Sequence, residues 1–271
     1  MKLPPLPLRG RFYLFFFFLC FFVQYSYIQS QSCATDILHQ QQLQTNSEYA
    51  ARFEAQNELI AGEVEKLESK RAQGQEKSGL NQTVYTIPIV VHIMHHPDSI
   101  VGKLTNPPDN RVYEAIERLN EGFRNTTVYD PTSGTDVEIE FCLATKSPYG
   151  TYTSGITRYG SAAFTYLDFP VNDSTMKYIT GWDRYHYMNI WITYAIADVQ
   201  NNIYSYAGYT PPAGWHGTNR DGVVVRQDYF GTGIDNDKVL IHEVGHYLNL
   251  FHTFNGGCNN LDCRYTGDYV C

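Results

Sequence analysis

An α/β or α+β layer, with helices packed on a twisted sheet, is the fold class the sequence predicts, and three observations predict it. The segment VYTIPIVVHIM (84–94) is short and dense in β-branched residues, as expected of a strand buried on both faces. Asp109 followed by Val112, Ile116, Leu119 and Phe123 has the spacing of a capped amphipathic helix. Further strand-like runs and a second helical segment come after them, so the order is strand, helix, strands, helix.

Ahead of that domain the chain reads differently. Lys2, Arg9 and Arg11 precede an apolar run at 12–23, and small polar residues follow at 26–32. This is the pattern of a secretory signal peptide, and the run is shorter than the roughly 20 residues a spanning helix needs. Residues 1–30 are therefore expected to be removed, leaving a secreted, extracellular product with no stable membrane anchor. From Asp36 to Ala72, Leu38, Leu43, Tyr49, Phe53, Ile60, Val64 and Leu67 recur at loosely helical intervals in a Gln- and Glu-rich stretch. One long or two shorter helices, exposed on most faces, are predicted there. The polar, Gly-containing stretch 70–79 reads as a linker and cleavage site, or at Lys70-Arg71 equally as a solvated helix end; on the first reading 31–79 forms a helical pro-segment and 80–271 a separate folded domain.

Within 80–271 the helix at 109–123 follows the first strand, and strands are expected at 137–144, 188–194 and 223–226. Aromatic and Gly- or Pro-rich loops join them. A last helix is expected at about 235–248. The net charge of −8 argues against nucleic acid as a partner. Export permits disulfides. Cys20 leaves with the leader, and Cys33, Cys142, Cys258, Cys263 and Cys271 remain, an odd set. Cys142 falls in a predicted strand, where a buried odd thiol is one reading; Cys33 in the pro-segment is another. Sequons at Asn81, Asn125 and Asn172 could carry glycans on surface loops.

The segment HEVGHYLNLFH (242–252) carries the chemistry. His242 and His246, four apart on a helix, share one face, as a tetrahedral metal requires of two imidazoles. Zinc suits them best. Glu243, rotated about 100° from His242, would reach a water on the metal and act as general base. No Glu follows Glu243, so the third ligand falls to His252. On an unbroken helix His252 would lie about 240° around and roughly 9 Å along the axis, so the helix must stop and turn back. Asn249 stands where the chain must reverse, and Asn tolerates the left-handed conformation next best after Gly. Three protein ligands leave a fourth position, the mark of a catalytic site. Cys33 could fill that position in a latent form, because thiolate binds zinc well.

These residues resemble the pappalysin family of metzincin metalloproteases. HEVGHYLNLFHTF with GGC (256–258) and GDYVC (267–271) is similar to the family's active-site stretch, and IPIVVHIM, FCLA (141–144), GITR (155–158), GWD (181–183), MNIW (188–191) and DGVVV (221–225) fall in the family's order. CATD (33–36) is similar to the start of family pro-segments. The resemblance implies a metzincin-like zincin catalytic domain whose upper half has a twisted mixed sheet, a backing helix and the zinc-binding helix. It also implies zinc endopeptidase activity on protein or peptide substrates and structural calcium near the region after His252, where Asp262 and Asp268 could contribute. Asn249 replaces the family's usual Gly. The methionines, Met1, Met94, Met176 and Met188, all precede the zinc motif, so the family's methionine turn is expected beyond a chain read as truncated. The competing expectation is a catalytically incompetent secreted product acting as a zinc-binding or interaction module.

Overall fold

The computed structural model describes residues 32–74, 83–127, 129, 132, 134–199, 206–211 and 213–252. Its centre is strand β2, and the elements before it are short strand β1 (Ser32–Cys33) and helices α1 (Thr35–Thr45) and α2 (Ser47–Ala72). The expected helical stretch is thus two helices. They break at Asn46, whose φ of −135° leaves the helical region and whose side chain caps α2 by accepting the Tyr49 amide at 3.0 Å.

Strand β2 (Tyr85–His95) is followed by α3 (Asp109–Phe123), β3 (Ile139–Leu143) and β4 (Ile156–Gly160). Residues 162–180 hold α4 (Ala162–Thr165), β5 (Tyr166–Asp168) and α5 (Phe169–Thr180), where sequence reasoning expected only loops. Then come β6 (Met188–Thr193), β7 (Ala195–Ala197), β8 (Tyr206–Tyr209), β9 (Val223–Arg226) and α6 (Ile234–Tyr247).

Among the described residues the main sheet runs β1-β8-β9-β6-β2-β3. The first half of β2 pairs β3 and its second half pairs β4, so one long strand carries two short neighbours. Pairing is parallel except between β8 and β9. The reversal at β8 makes that strand the rim of the sheet, and β1 covers its free edge in parallel register, Ser32 beside Tyr206 and Cys33 beside Gly208. A bare edge offers unpaired amides and carbonyls to any extended chain. Here the chain's own N-terminal segment takes that place.

Period-two alternation sorts the strand residues into two cores. Ile89, Val91 and Ile93, with Ile190, Ile192, Val223 and Val225, face α3 and α6 through Val112, Leu119, Leu240 and Val244. Met94, Trp191 and Val224 face the other way, onto Phe164, Leu167, Phe169 and Met176. The cross-strand placement of α6 follows from its start. Asp237 accepts the amides of Gly231 at 2.6 Å and Thr232 at 3.3 Å, while Arg111 of α3 reaches the carbonyls of Phe230 and Gln227. The helix entry is thereby tied to both α3 and the loop after β9.

Candidate metal centre

Helix α6 presents His242 and His246 one turn apart, and the chain then reverses over three residues. The Leu250 amide donates to the Gly245 carbonyl at 2.9 Å and the Asn249 amide to the His246 carbonyl at 2.9 Å, with Asn249 at φ 70°. These are the paired bonds of a Schellman motif, with Asn in the left-handed position that Gly usually fills. The reversal carries His252 back. The Nε2 atoms of His242 and His246 lie 3.0 Å apart, those of His242 and His252 3.0 Å, and those of His246 and His252 3.2 Å. Tetrahedral zinc bonded to nitrogen at about 2.0–2.1 Å holds its donors roughly 3.3 Å apart, so the spacing fits.

The outward ring atoms make the fit stronger than distance alone. His246 donates from Nδ1 to the Leu250 carbonyl at 2.7 Å, and His252 from Nδ1 to Asp36 Oδ2 at 2.6 Å. In the Nδ1–H tautomer each of these two rings turns its Nε2 lone pair inward, and the two nitrogens face each other at 3.2 Å. A cation between them would accept both lone pairs. Burial also holds the His246 imidazole neutral, its pKa pushed down to about 4.

Glu243 points from α6 toward the sheet rim and is fully buried. Its place depends on Gly208 of β8, where a Cβ would come within 2.9 Å of Glu243 Cγ and 3.0 Å of the Val224 carbonyl oxygen. Burial pushes the Glu243 carboxyl up to about 8 and raises the Cys33 thiol as well. A divalent cation among the imidazoles would reverse that tendency.

The segment Cys33–Asp36 lies across the centre. Cys33 Sγ and the three histidine nitrogens all fall within 4.8 Å of one another. Thr35 Oγ1 faces Glu243 Oε2 at 3.4 Å and accepts the Thr210 amide at 3.0 Å. Sequence reasoning singled out Cys33 but assigned nothing to Thr35, Asp36 or Thr210; a strand turning at once into a helix makes 33, 35 and 36 converge, and no periodic pattern reports that.

The two helices behind this segment grip the same rim. Tyr49 is fully buried beside Trp215, its ring fitting where Gly214 has no Cβ, and its hydroxyl lies 2.6 Å from His39 Nδ1. Arg52 donates to the carbonyls of Gly214 at 3.0 Å and His216 at 2.9 Å, and Phe53 packs edge-on against Phe251. Asn249 Nδ2 donates to Asn57 Oδ1 at 3.2 Å, so the left-handed residue itself touches α2.

Some expectations are corrected by the structure, and others fall on residues outside those described. Cys142 is exposed on β3 rather than buried, because its alternate position points away from the core that takes Phe141. Asn172 lies on helix α5, not on a loop, and Asn125 sits half-buried in the turn after α3. Asn81, residues 1–31, Cys258, Cys263, Cys271, Asp262 and Asp268 lie outside the described residues. No helix among the described residues is long and apolar enough to cross a membrane.

Comparison with known proteins agrees with the sequence resemblance. The peptidase family model described as Pregnancy-associated plasma protein-A matches residues 171–271, which include α6 and all three histidines. Extracellular metalloprotease 1 of Coccidioides posadasii (strain C735) is 50% identical over 40 residues, 15% of this chain and 13% of the fungal protein's length. Mature mirolysin of Tannerella forsythia, solved with a cleaved peptide, matches with a TM-score of 0.54 and 26% identity over 69% of this chain and 70% of that one. Mirolysin in complex with compound 9 gives 0.51 and 29% over 64% and 66%. A promirolysin mutant gives 0.53 over 83% of this chain and 70% of that one; at 22% identity it speaks to the fold alone. The chain resembles the pappalysin metalloproteases, and its fold is metzincin-like.

Proposed function

We propose that this chain, similar in sequence to the pappalysin metalloproteases, is a secreted zinc-dependent endopeptidase in a latent arrangement. The observation that carries the reading is the triad of Nε2 atoms 3.0–3.2 Å apart, two of them held lone-pair inward by hydrogen bonds on the far side of the ring. His242, His246 and His252 would hold the metal. Bound there, zinc supplies Lewis acidity, polarising a carbonyl and bringing water's pKa down to about 7.

The chain's own groups do the rest. Glu243 would take a proton from the attacking water and return it to the leaving amine, and its burial against Gly208 keeps the carboxyl at one position. The edge of β8 would align an extended peptide once β1 leaves it. Until then Cys33 stands beside the triad as an inhibitory ligand and Thr35 covers Glu243, so residues 31–79 act as a pro-segment. The fungal relative's name includes the word extracellular, in keeping with a removable leader at 1–30.

The test is metal analysis joined to turnover. Processed protein should hold about one zinc, and a zinc chelator should abolish hydrolysis of a protein substrate. Glu243→Gln should keep the zinc and lose at least about 10²- to 10⁴-fold in kcat. Equal hydrolysis with and without chelator would remove zinc from the mechanism, and near-normal turnover by the variant would remove Glu243.

A further inference from the structure

Two of the three imidazoles are oriented from outside the metal position, and by different parts of the chain. His246 is held by the Leu250 carbonyl, which belongs to the same turn. His252 donates to Asp36, which lies 216 residues earlier, at the start of α1. This contact is not loose. The Asp36 and His252 side chains keep only 29% and 11% of their exposure, and the backbone before Asp36 is pinned by the Ala34 amide on the Gly208 carbonyl at 3.2 Å and by Thr35 on Thr210. Phe251, next to His252, packs against His39 and Phe53 of α1 and α2.

A carboxylate on the far nitrogen of a metal-ligating histidine fixes the tautomer and makes the inward nitrogen a better donor. We infer that Asp36 is a positioning residue of the metal centre, so that the segment which blocks the site also tightens its hold on zinc. This rests on the zinc reading above and goes beyond it. Inhibition requires only that something occupy the fourth position; the Asp36–His252 pair acts on a ligand the enzyme retains after processing. The latent chain would be the form that acquires zinc, and the metal would already be seated when the segment is removed.

The experiment uses the full chain stripped of metal, in a Cys33→Ser background so that thiolate binding does not mask the effect. Zinc is titrated against a chromophoric chelator for the parent, Asp36→Asn and Asp36→Ala. Removing an outer partner of this kind weakens metal affinity about 10- to 100-fold. Asp36→Ala should show that loss with stoichiometry unchanged, and Asp36→Asn, whose amide oxygen still accepts the Nδ1 proton, a smaller one. Long-range ¹H–¹⁵N spectra should show the Nδ1-protonated form of His252 in the metal-free parent and its loss in Asp36→Ala, a change that a merely structural role would not produce. Where circular dichroism shows Asp36→Ala misfolded, Asp36→Asn decides. Equal affinity in parent and variants overturns the inference while leaving the zinc reading intact. A parent that takes up no zinc overturns the zinc reading itself, and this inference with it.

Discussion

Thr35 Oγ1 lies 3.4 Å from Glu243 Oε2 while accepting the Thr210 backbone amide at 3.0 Å, so one hydroxyl engages both the proposed base and the sheet rim. On the reading proposed above, a peptide entering along β8 would compete for that amide and a water near the triad for that carboxylate, so Thr35 would oppose substrate independently of Cys33.

The first prediction separates the two contributions to latency. Thr35→Val keeps the shape and removes a hydrogen-bonding group worth about 0.5–1.5 kcal/mol, so the unprocessed chain should gain several-fold in residual hydrolysis of a fluorogenic peptide. Cys33→Ala removes the thiol that stands beside the triad and should gain more, together with faster self-processing. Latency unchanged in Cys33→Ala, or a disulfide mapped from Cys33, would reject its role at the zinc position and leave residues 31–79 as a steric plug.

The second concerns Asn249, whose φ of 70° is a conformation that costs an ordinary L-residue about 1–2 kcal/mol. Asn249→Ala should lower stability by about that amount in urea unfolding. Asn249→Gly should relieve the backbone and raise the stability of processed protein by up to about 1 kcal/mol. In the unprocessed chain the gain should be smaller, because the same substitution removes the 3.2 Å contact with Asn57. Identical gains in both forms would mean that the contact with α2 contributes nothing.

Much of this architecture was legible in the residues, for identifiable reasons. The helix at 109–123 was expected from Val112, Ile116, Leu119 and Phe123, and these residues form its buried face. The strand at 223–226 was legible because a strand inside the sheet, buried on both faces, has an unbroken apolar run, here Val223, Val224 and Val225. The turn at Asn249 followed from the six-residue gap between His246 and His252. Residues 162–180 were not legible: α4 and β5 are only four and three residues long, and α5 begins on Phe169 and Pro170, which read as a loop. The roles of Thr35 and Asp36 were invisible for another reason. Each acts on a partner more than 200 residues away, and β1, which sets their positions, is a two-residue strand with no periodicity to detect.

The third prediction places an acid-sensitive group in the core, away from the metal centre. His92 is fully buried between β4 and β6, its Nδ1 2.7 Å from Thr157 Oγ1, its Nε2 2.9 Å from Asn189 Oδ1 and its ring stacked on Trp191. Burial pushes its pKa down to about 4; Asn189 opposes the shift and the Arg184 charge adds to it. In the unfolded chain the same imidazole titrates near 6.5. Between those values the unfolded state binds a proton that the folded state does not, so stability falls as pH falls from about 6.5 toward 4 and the loss levels off below that. Within the window the slope approaches about 1.4 kcal/mol per pH unit. His92→Gln keeps polar atoms near Thr157 and Asn189 but cannot titrate. Its cost at neutral pH cancels when slopes are compared, as do the contributions of the other histidines. Urea unfolding at pH 7.5 and 4.5 should therefore show a loss on acidification about 2–3 kcal/mol smaller in the variant than in the parent. Equal losses in the two proteins would show that the folded state takes up the His92 proton as readily as the unfolded chain, and would reject the depressed titration of this ring.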